Sequence, residues 1–307
     1  MRTFFGYFLA YWRQSSRTAF WLTVLFVGIL ISINYTVGIE WRIRGMGAWW
    51  WRYGTFVAFY GGVLALAWGL QRQRMCRGLW RLLAVAPLYF AAKMLHWDFS
   101  WALAGDTGSA VERYWEIALQ WPAKLALLMG LLWVVWRAGW LGEGGGREAK
   151  RGFGEALGLT AKGFTARPYL LLLMLLAPVV ALASTQADFL RVYPKVSAVA
   201  FMSGVPAKVA YELAYGLDFI SIEVFFRGLL VVGVVRYAGE KAILPMAAFY
   251  CTIHFGKPLG ECLTSFVGGM ALGVLAYRTR SVLGGLIVHL GIAWMMEIGG
   301  WLGHQYA

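Results

Sequence analysis

The sequence predicts an all-α, polytopic membrane protein with about nine transmembrane helices, and three observations carry that reading. Hydrophobic residues make up 60% of the 307 and charged residues only 14%, against about 25% charged in an ordinary soluble domain. Mean hydropathy is +0.61, an excess of apolar surface that only lipid can absorb. The apolar residues also fall in runs close to the roughly 20 that a helix needs to cross the hydrocarbon. None of these runs alternates polar and apolar, as a lipid-facing barrel strand must.

By this rule spans lie near 18–38, 54–70, 82–96, 118–136, 168–185, 208–235, 242–256, 259–277 and 282–302. Ahead of the first, an aromatic stretch from Phe4 to Trp12 is flanked by Arg2, Arg13 and Arg17. It lacks a small-residue cleavage site, so it is expected to be retained as an interfacial segment. Trp49, Trp50 and Trp51, and later Trp97, Trp101, Trp115 and Trp121, fall where spans meet water. Amphipathic rings collect at that depth.

The charged residues set orientation. With the N-terminus in the cytoplasm, the inner segments receive Arg72, Arg74, Arg77 and Arg81, the basic run from Arg137 to Arg167, and Arg278 and Arg280, leaving the outer ones poorer in Lys and Arg. Cytoplasmic loops carry that excess. The formal net charge of +13 is spread over these short clusters and forms no single basic face, so no nucleic-acid partner is expected. Lipid and a membrane-associated peptide or protein are the partners this composition implies. Cys76, Cys251 and Cys262 show no CxxC spacing, and neither a disulfide scaffold nor a zinc ribbon follows from them.

One stretch reads as a domain junction. Gly144, Gly145 and Gly146 precede a basic segment, and glycine there marks a flexible connector. The chain divides accordingly into an N-terminal four-helix region, 1–146, and a C-terminal five-helix region, 147–307.

The C-terminal region holds ionisable residues inside its apolar runs. Each costs about 2.5 to 3.5 kcal/mol at the centre of a span, so such residues face the bundle interior and mark sites. In the sixth span Glu223 and Arg227 are four apart, within reach of an ion pair on one helix face, and Glu212 extends the stripe outward. The seventh span supplies His254 and the last supplies His289. Counted from the assigned cytoplasmic ends, the three groups lie at depths of roughly 12 to 20 Å. Glu297 follows His289 on about the same face, nearer the surface.

A carboxylate with two imidazoles permits two chemistries. The glutamate can take a proton from water while a histidine positions the attacked group. Alternatively, two histidines and a glutamate can hold Zn²⁺. No HExxH is present and the three groups come from separate helices, so no metal or other cofactor is expected, with a divalent metal as the minority alternative.

Three motifs occur in order: Ile222, Glu223, then Arg227 and Gly228; Tyr250 to His254; and His289 to Ala293. They resemble EExxxR with a following glycine, FxxxH and HxxxN of the CAAX protease and bacteriocin-processing (CPBP) family, which includes the type II CAAX prenyl endopeptidases. The segment EALGLTAKGF also looks like that family's entry into its core, so the resemblance covers roughly 153–295. It implies a CPBP-like C-terminal helix bundle and an intramembrane endopeptidase acting on membrane-associated substrates, with Glu223, His254 and His289 as catalytic residues and Arg227 in a structural ion pair. In the family the glutamate pair activates water, the first histidine assists, and the last histidine with its asparagine stabilises the oxyanion.

Two positions depart from that pattern. Ile222 stands where the family has its first glutamate, and it can neither take a proton nor orient water. Ala293 replaces the asparagine, and losing one oxyanion donor typically costs about 10² to 10³ in rate. The alternative is therefore a catalytically degenerate homologue that uses the same residues to bind a membrane or assembly partner. A transporter-like use of the polar residues is the third reading.

Overall fold

A computed structural model describes residues 2–72, 75–99, 109–141, 152–162, 164–202 and 204–306. Among these there is no strand. The principal helices are α1 (Arg2–Gln14), α2 (Arg17–Val37), α3 (Trp49–Leu70), α4 (Arg77–Met94), α5 (Ala110–Arg137), α6 (Arg167–Ala183), α7 (Val205–Glu223), α8 (Ile243–Thr252), α9 (Leu259–Thr279) and α10 (Leu283–Tyr306). Five of them, α2, α3, α5, α9 and α10, are long and apolar enough to cross a membrane. The bent pair of α6 with residues 187–199 makes a sixth when taken as one span. The expected junction at 146/147 falls outside the described residues.

Local chemistry sets the ends of these helices. The Ser16 hydroxyl accepts the backbone N–H of Ala19 and opens α2, while Gly38 closes it in the left-handed region at φ 74°, where glycine carries no Cβ penalty. The chain folds as two compact units. The first comprises Met1–Leu95, Leu131–Phe164 and Val224–Gly285; the second comprises His96–Gly130, Thr165–Glu223 and Leu286–Ala307.

The first unit is centred on an aromatic core. Tyr60 and Phe90, from α3 and α4, meet edge to face at 5.5 Å. Phe90 packs on Phe225 at 5.2 Å, and Phe226 on Phe249 at 5.3 Å. Helices α8 and α9 close tightly against each other because two glycines face the contact. A Cβ on Gly269 would lie 2.8 Å from Tyr250, and one on Gly273 would lie 2.6 Å from Met246. In lipid, where apolar surface alone does not drive helices together, small residues that allow close backbone approach do so.

In the second unit α7 and α10 carry a buried cluster of Tyr211, Tyr215, Phe219 and Ala293, joined by Tyr114 and Ala118 of α5 and by Val199. The 194–199 turn is held at α10 by Glu297, whose two oxygens accept the backbone N–H groups of Lys195 at 2.8 Å and Val196 at 3.1 Å. The Tyr211 hydroxyl donates to the Lys195 carbonyl at 2.9 Å. Glu297 is only 7% exposed, its carboxylate buried where it caps this turn.

Candidate active site

Helix α7 ends at Glu223, and residues Val224–Gly233 continue it as a π-helix. That wider turn, closed by i→i+5 bonds, is rare and often accompanies functional sites. Its arrival directly after Glu223 means that the ideal α-helical angle between Glu223 and Arg227, assumed from their spacing of four, does not apply.

Glu223 is fully buried. Its Oε1 lies 3.0 Å from His289 Nδ1, so the two residues, 66 apart in sequence, form one hydrogen-bonded pair between α7 and α10. Phe219, one turn before Glu223, sets its ring edge to face with the imidazole at 4.9 Å. The imidazole is thus held from two directions, and its side chain keeps 15% exposure while that of Glu223 keeps 1%. A fully buried charge needs such a partner, since an uncompensated one costs several kcal/mol. Ile222 and Ala293, where the motifs carry a glutamate and an asparagine, are both buried, at 6% and 4% exposure. Both carboxyl oxygens of Glu212, further up α7, are buried as well.

The other two predicted residues belong to the first unit and share one ring. Arg227 is fully buried with its Cζ 4.4 Å from the centre of the Tyr250 ring, a cation–π geometry that stabilises the charge in an apolar setting. The His254 ring lies 4.7 Å from the same tyrosine, and its Nδ1 is 3.0 Å from the Tyr250 carbonyl oxygen. Tyr250 therefore gives the loosely met second motif a physical role: it supports both Arg227 and His254.

The turn that follows His254 is tied to α2. Asn34 donates to the Phe255 carbonyl at 3.0 Å, and the Tyr35 hydroxyl donates to that of Lys257 at 2.6 Å. Gly228 lets the 153–160 segment pass close by, since a Cβ there would lie 3.0 Å from the Leu157 carbonyl oxygen. Three positioning residues were not foreseen from sequence. Phe219 was signalled by its place four before Glu223 on the same face, Asn34 by being a lone amide within an apolar run, and Tyr250 by nothing beyond its motif.

Residues 197–295 match the Type II CAAX prenyl endopeptidase Rce1-like family. The Rce1-like segment spans roughly a third of the chain and contains Glu223, Arg227, His254, His289 and Ala293. The resemblance read from the three motifs is borne out over these residues, and with the apolar helices it makes this an all-α integral membrane protein. No curated protein and no solved structure matches the chain. Among the described residues no group of three or more His, Cys, Asp or Glu side chains is arranged to hold a metal ion.

Proposed function

We propose that the protein is an intramembrane endopeptidase of the CAAX type, hydrolysing peptide bonds of membrane-associated substrates with Glu223 and His289 as its proton-handling pair. The observation that carries this reading is the 3.0 Å part-buried contact between Glu223 Oε1 and His289 Nδ1. A carboxylate that accepts the Nδ1–H of an imidazole fixes the tautomer in which Nε2 bears the lone pair, and it stabilises the imidazolium that forms when Nε2 takes a proton.

In the proposed reaction His289 Nε2 removes a proton from water as the water oxygen bonds to the scissile carbonyl carbon. The C–N bond then breaks, and the proton held on Nε2 passes to the departing amine. Glu223 stays ionised throughout. This assignment replaces the family's glutamate base, which Ile222 cannot supply, with an imidazole that a glutamate orients. By resemblance His254 is the assisting imidazole, and Arg227 remains structural.

The test is cleavage of membrane-embedded peptides, with and without a prenylated C-terminal cysteine, by purified protein. Activity lost in Glu223→Gln and His289→Ala supports the reading; cleavage at parental rates in both overturns it.

A second reading has its own supporting observation, the two buried apolar residues Ile222 and Ala293 at polar motif positions. In it the protein binds a membrane partner without cleaving it, and partner capture in place of cleavage is the distinguishing result. For topology we propose nine crossings with the N-terminus in the cytoplasm. The six candidate spans are then joined by α4, by α7 with its π segment, and by α8 with the turn after it. Cysteine labelling from either side of sealed vesicles tests this, with residues near Arg77 expected inside.

A further inference from the structure

Two of the three cysteines, which no sequence spacing paired, are neighbours in the folded chain. Cys251 is the penultimate residue of α8 and Cys262 the fourth of α9, and their sulfur atoms lie 4.0 Å apart. Cys251 Sγ also reaches the Cys262 carbonyl oxygen at 3.5 Å, so the side chain of one already touches the main chain of the other. Both belong to the first unit and to one buried cluster, at 1% and 0% exposure, and both are free thiols.

A buried thiol packs as a small hydrophobe, but two in contact offer a chemistry that packing does not use. A disulfide holds its sulfurs about 2.0 Å apart, so side-chain rotation has to close roughly 2 Å between helices that Gly269 and Gly273 already bring together. The pair sits where both helices meet the 253–258 turn that carries His254. That turn is polar and partly exposed: Lys257 and Glu261 form an ion pair at 3.2 Å, with side chains 26% and 19% exposed. In the nine-crossing topology proposed above α8 runs outward. The turn then faces away from the cytoplasm, on the side where disulfides form and persist.

We propose that Cys251 and Cys262 are a redox site, closed into an intramolecular disulfide by a small-molecule disulfide as oxidant, and that the bond braces the turn carrying His254. One thiol loses its proton and its sulfur bonds to a sulfur of the oxidant. The oxidant's S–S bond breaks, and its other half leaves as a thiolate that takes up the proton. The second cysteine, deprotonated in turn, bonds to the first, and the remaining half of the oxidant leaves as a thiol. Two protein thiols thus give up two electrons and two protons, and one disulfide becomes two thiols. The ring closed over residues 251–262 includes His254, whose backbone N–H donates to the Cys251 carbonyl at 3.0 Å. Such a ring restricts the unfolded chain more than the folded one.

The test is incubation of the folded full chain with glutathione disulfide, in a Cys76→Ser background that removes the exposed thiol, followed by alkylation, intact mass and peptide mapping. The expected product is a chain lighter by two hydrogens, with Cys251 linked to Cys262. Its melting temperature is expected to rise by about 5 °C and to return on adding dithiothreitol. Cys262→Ser in the same background shows neither change; should that variant not fold, the mapped linkage in the Cys76→Ser chain decides. Thiols that stay alkylatable, a stable glutathione adduct on one cysteine, a bond between two chains, or an oxidised chain that melts no higher overturns the proposal. The placement of the turn rests on the proposed topology and is tested apart from the bond. Vesicle labelling that puts the turn in the cytoplasm, with the disulfide still forming in this assay, corrects the topology and supports the site.

Discussion

Glu223 Oε1 and His289 Nδ1 meet at 3.0 Å, joining the end of α7 to α10 through a part-buried contact in which the carboxylate is fully buried and the imidazole keeps some exposure. Glu223→Gln keeps the shape of the side chain but removes the charge that stabilises an imidazolium. It is expected to lower kcat/KM by about 10² to 10⁴ with little change in melting temperature. His289→Ala leaves a buried carboxylate without this partner and is expected to cost about 3 to 5 kcal/mol of stability besides. Comparing the two variants by cleavage rate and thermal unfolding separates the chemical role from the structural one; equal unfolding losses would show that the pair only holds the helices.

Ile222 and Ala293 sit where the family pattern has a glutamate and an asparagine, and both are buried in the second unit. Ile222→Glu with Ala293→Asn restores both groups. The double variant is expected to raise cleavage of a prenylated membrane peptide by about 10² or more, the size of one oxyanion donor, at some loss of stability from the added buried carboxyl. No gain in a variant that remains folded would show that the present pair does not depend on the missing groups.

The helical class was legible in sequence from long apolar runs, and Glu223 and His289 stood out as ionisable residues that such runs rarely admit, but the sequence reading paired Glu223 with Arg227 and not specifically with His289. What escaped depended on tertiary detail. The spacing of Glu223 and Arg227 implied one α-helical face, but the helix widens into a π segment at Val224, and no periodicity announces that. The burial of Glu297 follows from the turn at Lys195 and Val196, about a hundred residues earlier in the chain. Asn34 reaches Phe255 across 221 residues, a relationship that hydrophobic patterning does not encode.

Glu297 caps two backbone donors at once. Removing it in Glu297→Ala orphans the N–H groups of Lys195 and Val196, at about 1 to 3 kcal/mol for each donor left without an acceptor. Glu297→Gln retains one carbonyl oxygen and restores one of the two bonds. Thermal unfolding in detergent is expected to order the proteins as parent, then glutamine, then alanine. An alanine variant as stable as the parent would show that water replaces the carboxylate.

Helix α9 approaches α8 through Gly269, where a Cβ would meet the Tyr250 ring at 2.8 Å. Gly269→Val forces that ring to move, and with it the support of Arg227 and His254. Overpacking of this kind costs about 1 to 3 kcal/mol, and cleavage is expected to fall more than stability alone explains. Gly268→Ala, where nothing lies within 4 Å of an added Cβ, is the matched control and is expected to behave as the parent. Parental cleavage in Gly269→Val would separate the tyrosine from the site.

Glu240 lies in the Gly239–Ala242 turn between the π segment and α8, with its side chain 18% exposed. Burial raises its pKa above the ordinary carboxylate range, and the Arg278 guanidinium, 3.8 Å away, opposes that shift only in part. Arg278 also donates to Gln14 at 2.6 Å, so its charge is shared, and the pKa of Tyr11 is raised chiefly by burial, with Glu240 adding to it. A carboxyl with a raised folded-state pKa binds its proton more tightly folded than unfolded. Its contribution to stability is therefore fully present below the unfolded value of about 4.3 and is lost as pH rises through the folded one. The parent is expected to lose melting temperature across that window relative to Glu240→Gln, which has no proton to release. At pH 7 the glutamine variant should be at least as stable as the parent. A variant less stable at pH 7, with the gap closing toward pH 4, would mean that the Arg278 pair outweighs desolvation.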